Sequence, residues 1–385
     1  MSLPVVRLRP GREIAPRQRH PWVMSGSVAS VEGDVPAGAA VRVVSHSGES
    51  LGIGDYDPHT QIRVRLMFFG RATELPPQWL EGRLRRAVDL RAALPPLAGT
   101  SAVRLINAEG DGLPGLTVDR FAEWLVVKVA TPAMQGRLEA LSTWLWQHTQ
   151  ASGAWLRGEG GGSDPVSRTL FGTIPEELVQ IEERERRYWV DLCRGQKTGF
   201  YLDQRDSRDL FQALAPGTRA LDLFAYTGGF ATAAACGGAR EIVAVESSPA
   251  ACALLTRNAP NAEVVAGDVA EFLREDERTF DLISIDPPPF AKRKHDVAAA
   301  CRAYHELHVR AFARAAHGAN VLTFTCSHHV DAGQFRATVA AAARAASRRV
   351  QLLRTLAAPV DHPVDLAHPQ GEYLKGLLLR VDHGE

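Results

Sequence analysis

The sequence predicts an α/β protein whose C-terminal half is a doubly wound, mostly parallel sheet. Three observations carry this prediction. From about residue 195 onward, strand-like apolar runs (219–224, 241–245, 262–267, 280–286 and 320–326) alternate with Ala-rich helical segments, the pattern of a parallel sheet with helices on both faces. Within it, Leu221-Asp-Leu-Phe-Ala-Tyr-Thr-Gly-Gly-Phe230 reads as strand, tight turn and helix start. Its glycine pair lets backbone approach a ligand at the carboxyl end of a strand. The first 72 or so residues have a different texture, short strands broken by Gly, Pro and Asp, as in a small β-barrel. At 385 residues the chain exceeds one ordinary core, so two or three domains are expected.

Taken in order, residues 1–72 form the barrel, from runs at 5–9, 39–45, 50–56 and 61–69. A single helical turn is expected within Arg19–Gly26. Residues 73–190 form a central mixed α/β domain. Pro76-Pro77 and Pro95-Pro96 bracket a helix with Leu80, Leu84, Ala87 and Val88 on one face, and Met134, Leu138, Leu141 and Leu145 share a face of a second helix. Strands are expected at 103–107, 116–121 and 124–130, then at 177–183 and 186–192, with the charged run 182–187 as a solvated hairpin tip. The only low-complexity stretch is Gly160–Gly162. Residues 191–385 carry the parallel sheet, with runs 350–356 and 373–381 as an antiparallel return.

Composition narrows the function classes. Lys+Arg and Asp+Glu are both 44, so no global field draws in nucleic acid. RNA binding would rest on local clusters such as Arg7, Arg9, Arg12, Arg17 and Arg19, with Arg63 and Arg65 on a later strand. No run reaches membrane-spanning length and the N-terminus lacks a signal-peptide core, so a cytoplasmic protein without a membrane partner is expected. Five cysteines at scattered spacings read as reduced thiols. Cys326-Ser-His328-His329 matches no common zinc spacing, so no metal is expected.

In an open parallel sheet, ligands bind outside the carboxyl ends of the strands. Four acids fall there: Asp222, Glu246, Asp268 and Asp286. One such acid is usually a solvated helix cap; four at successive strand ends beside a glycine turn point to a ligand site. Glu246 follows Asp222 by about two dozen residues, the separation at which a carboxylate meets a nucleoside ribose. The absence of G-x-G-x-x-G argues against a dinucleotide, and hence against a nicotinamide oxidoreductase. The turn looks like the S-adenosylmethionine turn of class I methyltransferases. Asp286-Pro-Pro-Pro-Phe290 is a stiff loop whose Phe290 offers a face for a base. Cys326 ends the fifth strand near Asp286. A free Cys is usually buried and inert, the reading given to Cys193, Cys236, Cys252 and Cys301. For Cys326 its position favours a nucleophile. A thiolate adding to carbon 6 of cytosine makes carbon 5 nucleophilic, and Asp286 at ring nitrogen 3 would offset the charge that builds. Gly195–Arg205 is expected to fold over the cofactor as a lid.

Together these pieces resemble the bacterial 23S rRNA large-subunit methyltransferase I family, which makes 5-methylcytidine. The resemblance spans nearly the whole chain. It rests on Arg19-His-Pro-Trp22, Asn107-Ala-Glu109, Asp111-Gly-Leu-Pro-Gly115, Gln196–Arg205, Phe224–Phe230, Asp286-Pro-Pro288, Thr325-Cys-Ser327, Asp361-His-Pro363 and Tyr373-Leu-Lys-Gly376. It implies an N-terminal PUA-like RNA-binding domain, a central mixed α/β domain and a C-terminal Rossmann-like class I methyltransferase with a seven-stranded sheet. It also implies S-adenosylmethionine as cofactor and 23S rRNA as partner, with Cys326 and Asp286 catalytic. Cofactor contacts are expected from Phe200, Tyr201, Gln204, Asp222, Phe224, Tyr226, Gly228, Glu246, Ser247, Asp268, Val269 and Asp286. RNA contacts are expected from Arg19, Arg205, Phe290 and Lys375. Two departures are Pro289, where the family usually carries Lys, and His328-His329. A guanosine-directed rRNA methyltransferase would not need Cys326, and an inactive RNA-binding assembly factor would not need the complete set of acids. The target nucleotide, the base that removes the carbon-5 proton and the oligomeric state, a homodimer included, stay open.

Overall fold

The computed structural model describes residues 3–158, 166–291 and 293–383; the Gly160–Gly162 run lies outside the described residues. The chain forms two compact units. The first is Met1–Val179 with Asp191–Gly199 and Val360–Gly371; the second is Gln180–Val190, Phe200–Pro359 and Glu372–Glu385.

In the first unit, a six-stranded sheet runs in the order Trp22–Met24, Ile62–Phe69, Ser50–Tyr56, Ala40–Val44, Val5–Leu8, Val28–Val31. The two end strands are consecutive in the chain and joined by one 3-10 turn, Ser25–Ser27, which draws the ends of the sheet together. Alternate residues Val6, Leu8, Val41, Val43, Val64 and Leu66 fill the interior. The helical turn lies at Ile14–Arg17, earlier than expected. Pro21 disfavours helix at the residue before it, and Trp22-Val-Met24 pairs with Arg65, Val64 and Ile62 instead. The rest of this unit is a five-stranded sheet, Arg168–Gly172, Gly153–Leu156, Trp124–Val129, Leu116–Phe121, Ala102–Asn107. Helices Trp79–Ala93 and Leu138–Thr149 contribute Leu84, Ala87, Leu141 and Leu145 to its core. The second helix is interrupted: Pro132–Gly136 forms a separate turn, capped by the Thr131 hydroxyl. Residues 361–363 belong here as well. Asp361 is fully buried and accepts the Arg104 N–H at 3.0 Å, and Pro363 O accepts from Asn107 Nδ2 at 3.0 Å.

The second unit is built on a seven-stranded sheet: β1 (Arg219–Leu223), β2 (Glu241–Glu246), β3 (Glu263–Ala266), β4 (Phe280–Ile285), β5 (Ala315–Thr325), β6 (Arg348–Leu356) and β7 (Lys375–His383). Their order is β3-β2-β1-β4-β5-β7-β6. The first five are parallel, and β7 is antiparallel to both β5 and β6. α1 (Arg205–Leu214) precedes β1, and between the strands run α2 (Gly229–Cys236), α3 (Pro249–Asn258), α4 (Val269–Glu275), α5 (Val297–Ala313) and α6 (Ala332–Ala345). Two apolar clusters cover the sheet, one including Leu221, Ile283, Phe312 and Phe335, the other Ala220, Phe230, Leu282 and Phe324. The order reverses where β1 meets β4, and a ligand crevice opens at such a switch point.

Candidate active site

The turn after β1 is conformationally strained. Phe224, Tyr226 and Gly228 have φ of 61°, 48° and 84°. A non-glycine residue held there costs on the order of 1–3 kcal/mol, and such strain clusters at ligand sites. Only at Gly228 is the residue suited to its conformation; a Cβ there would also come within 3.1 Å of Leu255 Cγ. Three side chains hold the turn. Glu246 accepts the Tyr226 N–H at 2.9 Å and the Ser248 N–H at 2.7 Å. Asn258 Nδ2 donates to Thr227 O at 2.9 Å. Asp222 accepts the Ala231 N–H at 2.9 Å and the Ser284 hydroxyl at 2.6 Å. Asp222 is thereby corrected from a cofactor contact to an anchor: it is 2% exposed, beneath the turn. Burial, with Asp286 and Glu246 nearby, pushes its carboxyl up to about 7.

Residues 200–204 close one side. Tyr201 lies edge-on to Tyr226, ring centres 5.3 Å apart, and Gln204 Nε2 donates to Asp286 Oδ2 at 2.9 Å. Burial first, then Asp286, Tyr226, Asp203 and Cys326, raises the Tyr201 phenol, so these groups converge around its hydroxyl. Phe200 is buried against Tyr188 and the Arg208 guanidinium, at 4.8 and 4.7 Å. It packs beside the glycine turn, where a Cβ on Gly229 would lie 3.9 Å from Phe200 Cζ.

The charged run 182–187 is a hairpin tip as expected, with Glu182, Arg184, Glu185 and Arg187 exposed, but it is not solvated throughout. It turns a hairpin, Val179–Glu183 and Arg186–Val190, whose Glu183 and Arg186 are buried. Glu183 accepts two hydrogen bonds from Arg208, one of them from Nε at 2.8 Å, and another from Arg186 Nη2 at 2.9 Å. Burial raises the Glu183 carboxyl, but Arg208, Arg186 and Arg205 outweigh that and hold it at about 2. Arg205, expected to touch RNA, is wholly buried in this ion cluster, 3.9 Å from Glu183, and is corrected to a structural group. Arg208 Nη1 donates to Tyr201 O at 2.9 Å, Tyr188 to Gly229 O at 3.2 Å, and Asn258 bonds both Trp189 N and O. The hairpin therefore braces both the 200–204 segment and the glycine turn. Glu183, Arg208 and Asn258 left no sequence signal; each resembles an ordinary surface or helix-end residue.

Cys326 follows β5 in a short turn. Thr325 Oγ1 accepts the Ser327 N–H at 3.1 Å, and the Tyr304 hydroxyl bonds Thr325 and Ser327 at 2.7 and 3.1 Å. Ser327 Oγ also accepts the Ala291 N–H at 3.2 Å, tying this turn to the segment after Asp286-Pro-Pro. Lys375 Nζ donates to Ser327 O at 3.0 Å. Ile285 is level with Thr323, so Cys326 stands slightly beyond Asp286. Cys326 is partly exposed.

The remaining expected residues are distributed unevenly. Ser247 is exposed after β2; Asp268 is exposed and caps α4 through Glu271 N at 3.0 Å, with Val269 buried behind it. Phe290 is half-buried with its ring 4.7 Å from Tyr304, so it is partly committed to the core and not a bare stacking face. Arg19 is exposed, its guanidinium 5.3 Å from the Phe69 ring. Of the arginines around it, Arg7, Arg17 and Arg65 pair with Glu32, Glu49 and Glu109. No group of His, Cys, Asp and Glu suited to hold a metal occurs among the described residues.

Comparison with known proteins gives this geometry a family. Residues 113–363 match the S-adenosylmethionine-dependent methyltransferase family, and residues 6–69 match a PUA-like domain. The chain belongs to this methyltransferase family. The methyltransferase is 36% identical to the ribosomal RNA large subunit methyltransferase I of Citrobacter koseri, across 99% of this chain and 100% of the relative. It is equally similar to that of an Enterobacter species, over the same shares. A methyltransferase solved with SAH shares its fold with a TM-score of 0.84 at 23% identity, over 98% of this chain and 99% of that one. A second, from Streptococcus mutans, matches at 0.83 and 22%, over the same shares. The cofactor is S-adenosylmethionine, and the residues suit it. Glu246 ends β2 where a ribose diol would meet a carboxylate, and the turn 224–228 brings backbone close by. Tyr201 and Tyr226 supply aromatic surface beside Asp286.

Proposed function

We propose that this methyltransferase forms 5-methylcytidine in 23S rRNA through a covalent bond between Cys326 and the target cytidine. The rRNA substrate follows from full-length relatives named for the ribosomal RNA of the large subunit. The observation that carries the cytosine-5 reading is the turn 325–327. A partly exposed cysteine sits there, in a turn that Tyr304 and Lys375 hold through Ser327 and that Ala291 N ties to the segment after Asp286-Pro-Pro. Methylation of a ring nitrogen or exocyclic amine needs no such thiol, because those atoms carry their own lone pair.

Bound S-adenosylmethionine supplies an electrophilic methyl group. The chain's task is to make carbon 5 nucleophilic. The Cys326 sulfur adds at carbon 6, and the ring electrons move towards carbon 5. Asp286, fixed by Gln204 through Oδ2, acts as an acid at the polar edge of the ring: its carboxyl proton passes to nitrogen 3 as the sulfur adds and returns when the sulfur leaves. After methyl transfer a base removes the carbon-5 proton, and the sulfur leaves with re-formation of the double bond.

A 5-fluorocytidine at the target position blocks that last proton removal. The wild type is expected to give a denaturant-resistant protein–RNA band that requires S-adenosylmethionine. Cys326→Ala is expected to give neither band nor methylated product while still binding cofactor. Near wild-type methylation by Cys326→Ala would overturn the cytosine-5 assignment.

A further inference from the structure

We propose that Lys375 is a positioning residue for the nucleophile: its side chain lies along the 325–327 turn and holds the Cys326 sulfur as a thiolate. This rests on the reading of Cys326 as nucleophile. Strand β7 is antiparallel to β5 with Lys375 directly opposite Thr325, and opposed residues on paired strands project to the same face. From that position Nζ reaches forward to Ser327 O at 3.0 Å. Lys375 is thus anchored at one end beside residue 325 and at the other on residue 327, with Cys326 between. One ammonium proton is spent on that carbonyl; an ammonium has three. A fixed cation beside a thiol favours its ionised form and with it nucleophilic attack.

The other titratable groups around the pair do not supply this charge. Tyr201 and Tyr304, which both feel Cys326, are raised by burial and stay neutral phenols at neutral pH. His328 is lowered by burial, then by His329 and Lys375, which keeps it uncharged. Lys375 itself is lowered by burial, against which Cys326 and Asp331 act. The attraction between Lys375 and Cys326 is therefore mutual, and Asp331 shares it. The roles are distinct: the thiol loses its proton to solvent, and Lys375 keeps its own.

The experiment follows iodoacetamide alkylation of Cys326 in the full chain against pH, quantified on the Cys326 peptide by mass spectrometry. In this reaction the thiolate displaces iodide, so it reads the sulfur without methyl transfer. The wild type is expected to show a midpoint below that of an ordinary thiol, about 8.5. Lys375→Met should raise the midpoint by roughly one unit, slowing alkylation at pH 7 ~10-fold, and Lys375→Arg should retain most of the depression. A wild-type midpoint at or above the ordinary value overturns the proposal even if Lys375→Met fails to fold. So does an unchanged midpoint in folded Lys375→Met. If the trap with 5-fluorocytidine fails while the Lys375 shift is seen, the cytosine-5 reading falls and the thiolate pair stands.

Discussion

Glu246 uses one carboxylate oxygen on Tyr226 N and the other on Ser248 N, and each oxygen retains a lone pair for a ribose hydroxyl. Glu246→Ala should therefore lower S-adenosylmethionine affinity by about 1.5–3 kcal/mol, measured by calorimetry; unchanged affinity would remove Glu246 from the site. Asp222 acts differently, because it is buried beneath the turn. Its carboxyl, near 4 in an unfolded chain, is pushed up to about 7 in the fold. The folded protein thus binds a proton that the unfolded chain releases between these values. The resulting stabilisation is fully present below about pH 4 and lost as pH rises through about 7. Asp222→Asn has no such proton. The stability difference between wild type and variant should change across this window by on the order of 2–4 kcal/mol, read from urea unfolding. A difference that stays constant would show that Asp222 is an ordinary carboxylate.

Among the elements, the hairpin that ends in Val190 was the least legible. Its tip reads as charge on a solvated loop, yet the fold encloses Glu183 and Arg186 with Arg208 from α1. A charged residue in sequence does not reveal whether a partner of opposite sign will arrive from 25 residues away. Removing one member leaves a buried charge uncompensated. Arg208→Met is expected to destabilise the methyltransferase unit by roughly 3–5 kcal/mol. It should also weaken cofactor binding, because the Tyr201 carbonyl and the Phe200 ring lose their partner. Adding Glu183→Gln to that variant should recover part of the stability in denaturant titration but not the cofactor affinity. Full recovery of both would show that the brace has no bearing on the site.

At the scale of the whole molecule, the first unit includes both the PUA-like sheet and the central sheet. Trp22 Nε1 donates to Glu109 at 2.9 Å, and Arg137 forms two 2.6 Å hydrogen bonds to Asp55. Truncation near residue 74 would strip Glu109 and Arg137 of these partners, so RNA binding is better tested by substitution. Arg7, Arg17 and Arg65 already face acids, and Arg9 and Arg63 donate to the carbonyls of Val28 and Asp57, so the exposed Arg12 and Arg19 are the stronger candidates for phosphate. Arg12→Gln with Arg19→Gln should weaken RNA binding and lower the slope of log affinity against log salt by roughly one for each phosphate no longer neutralised. Unchanged affinity and slope would assign the PUA-like sheet another role.

The strand–turn–helix at 221–230, the acids at strand ends and the β/α alternation were legible because each is a local pattern. Hydrophobic period and turn chemistry act over a few residues, so they survive in the linear chain. So was the place of Cys326, one residue past the end of an apolar strand. Tertiary structure decided the rest. It buried Asp222 and Arg205, turned Phe200 and Phe290 partly or wholly into the core, and brought Glu183 to Arg208 and Lys375 to the 325–327 turn. Each of these depends on pairing between segments far apart in sequence. Burial and electrostatic partnership are properties of such pairings, and no local window of residues contains them.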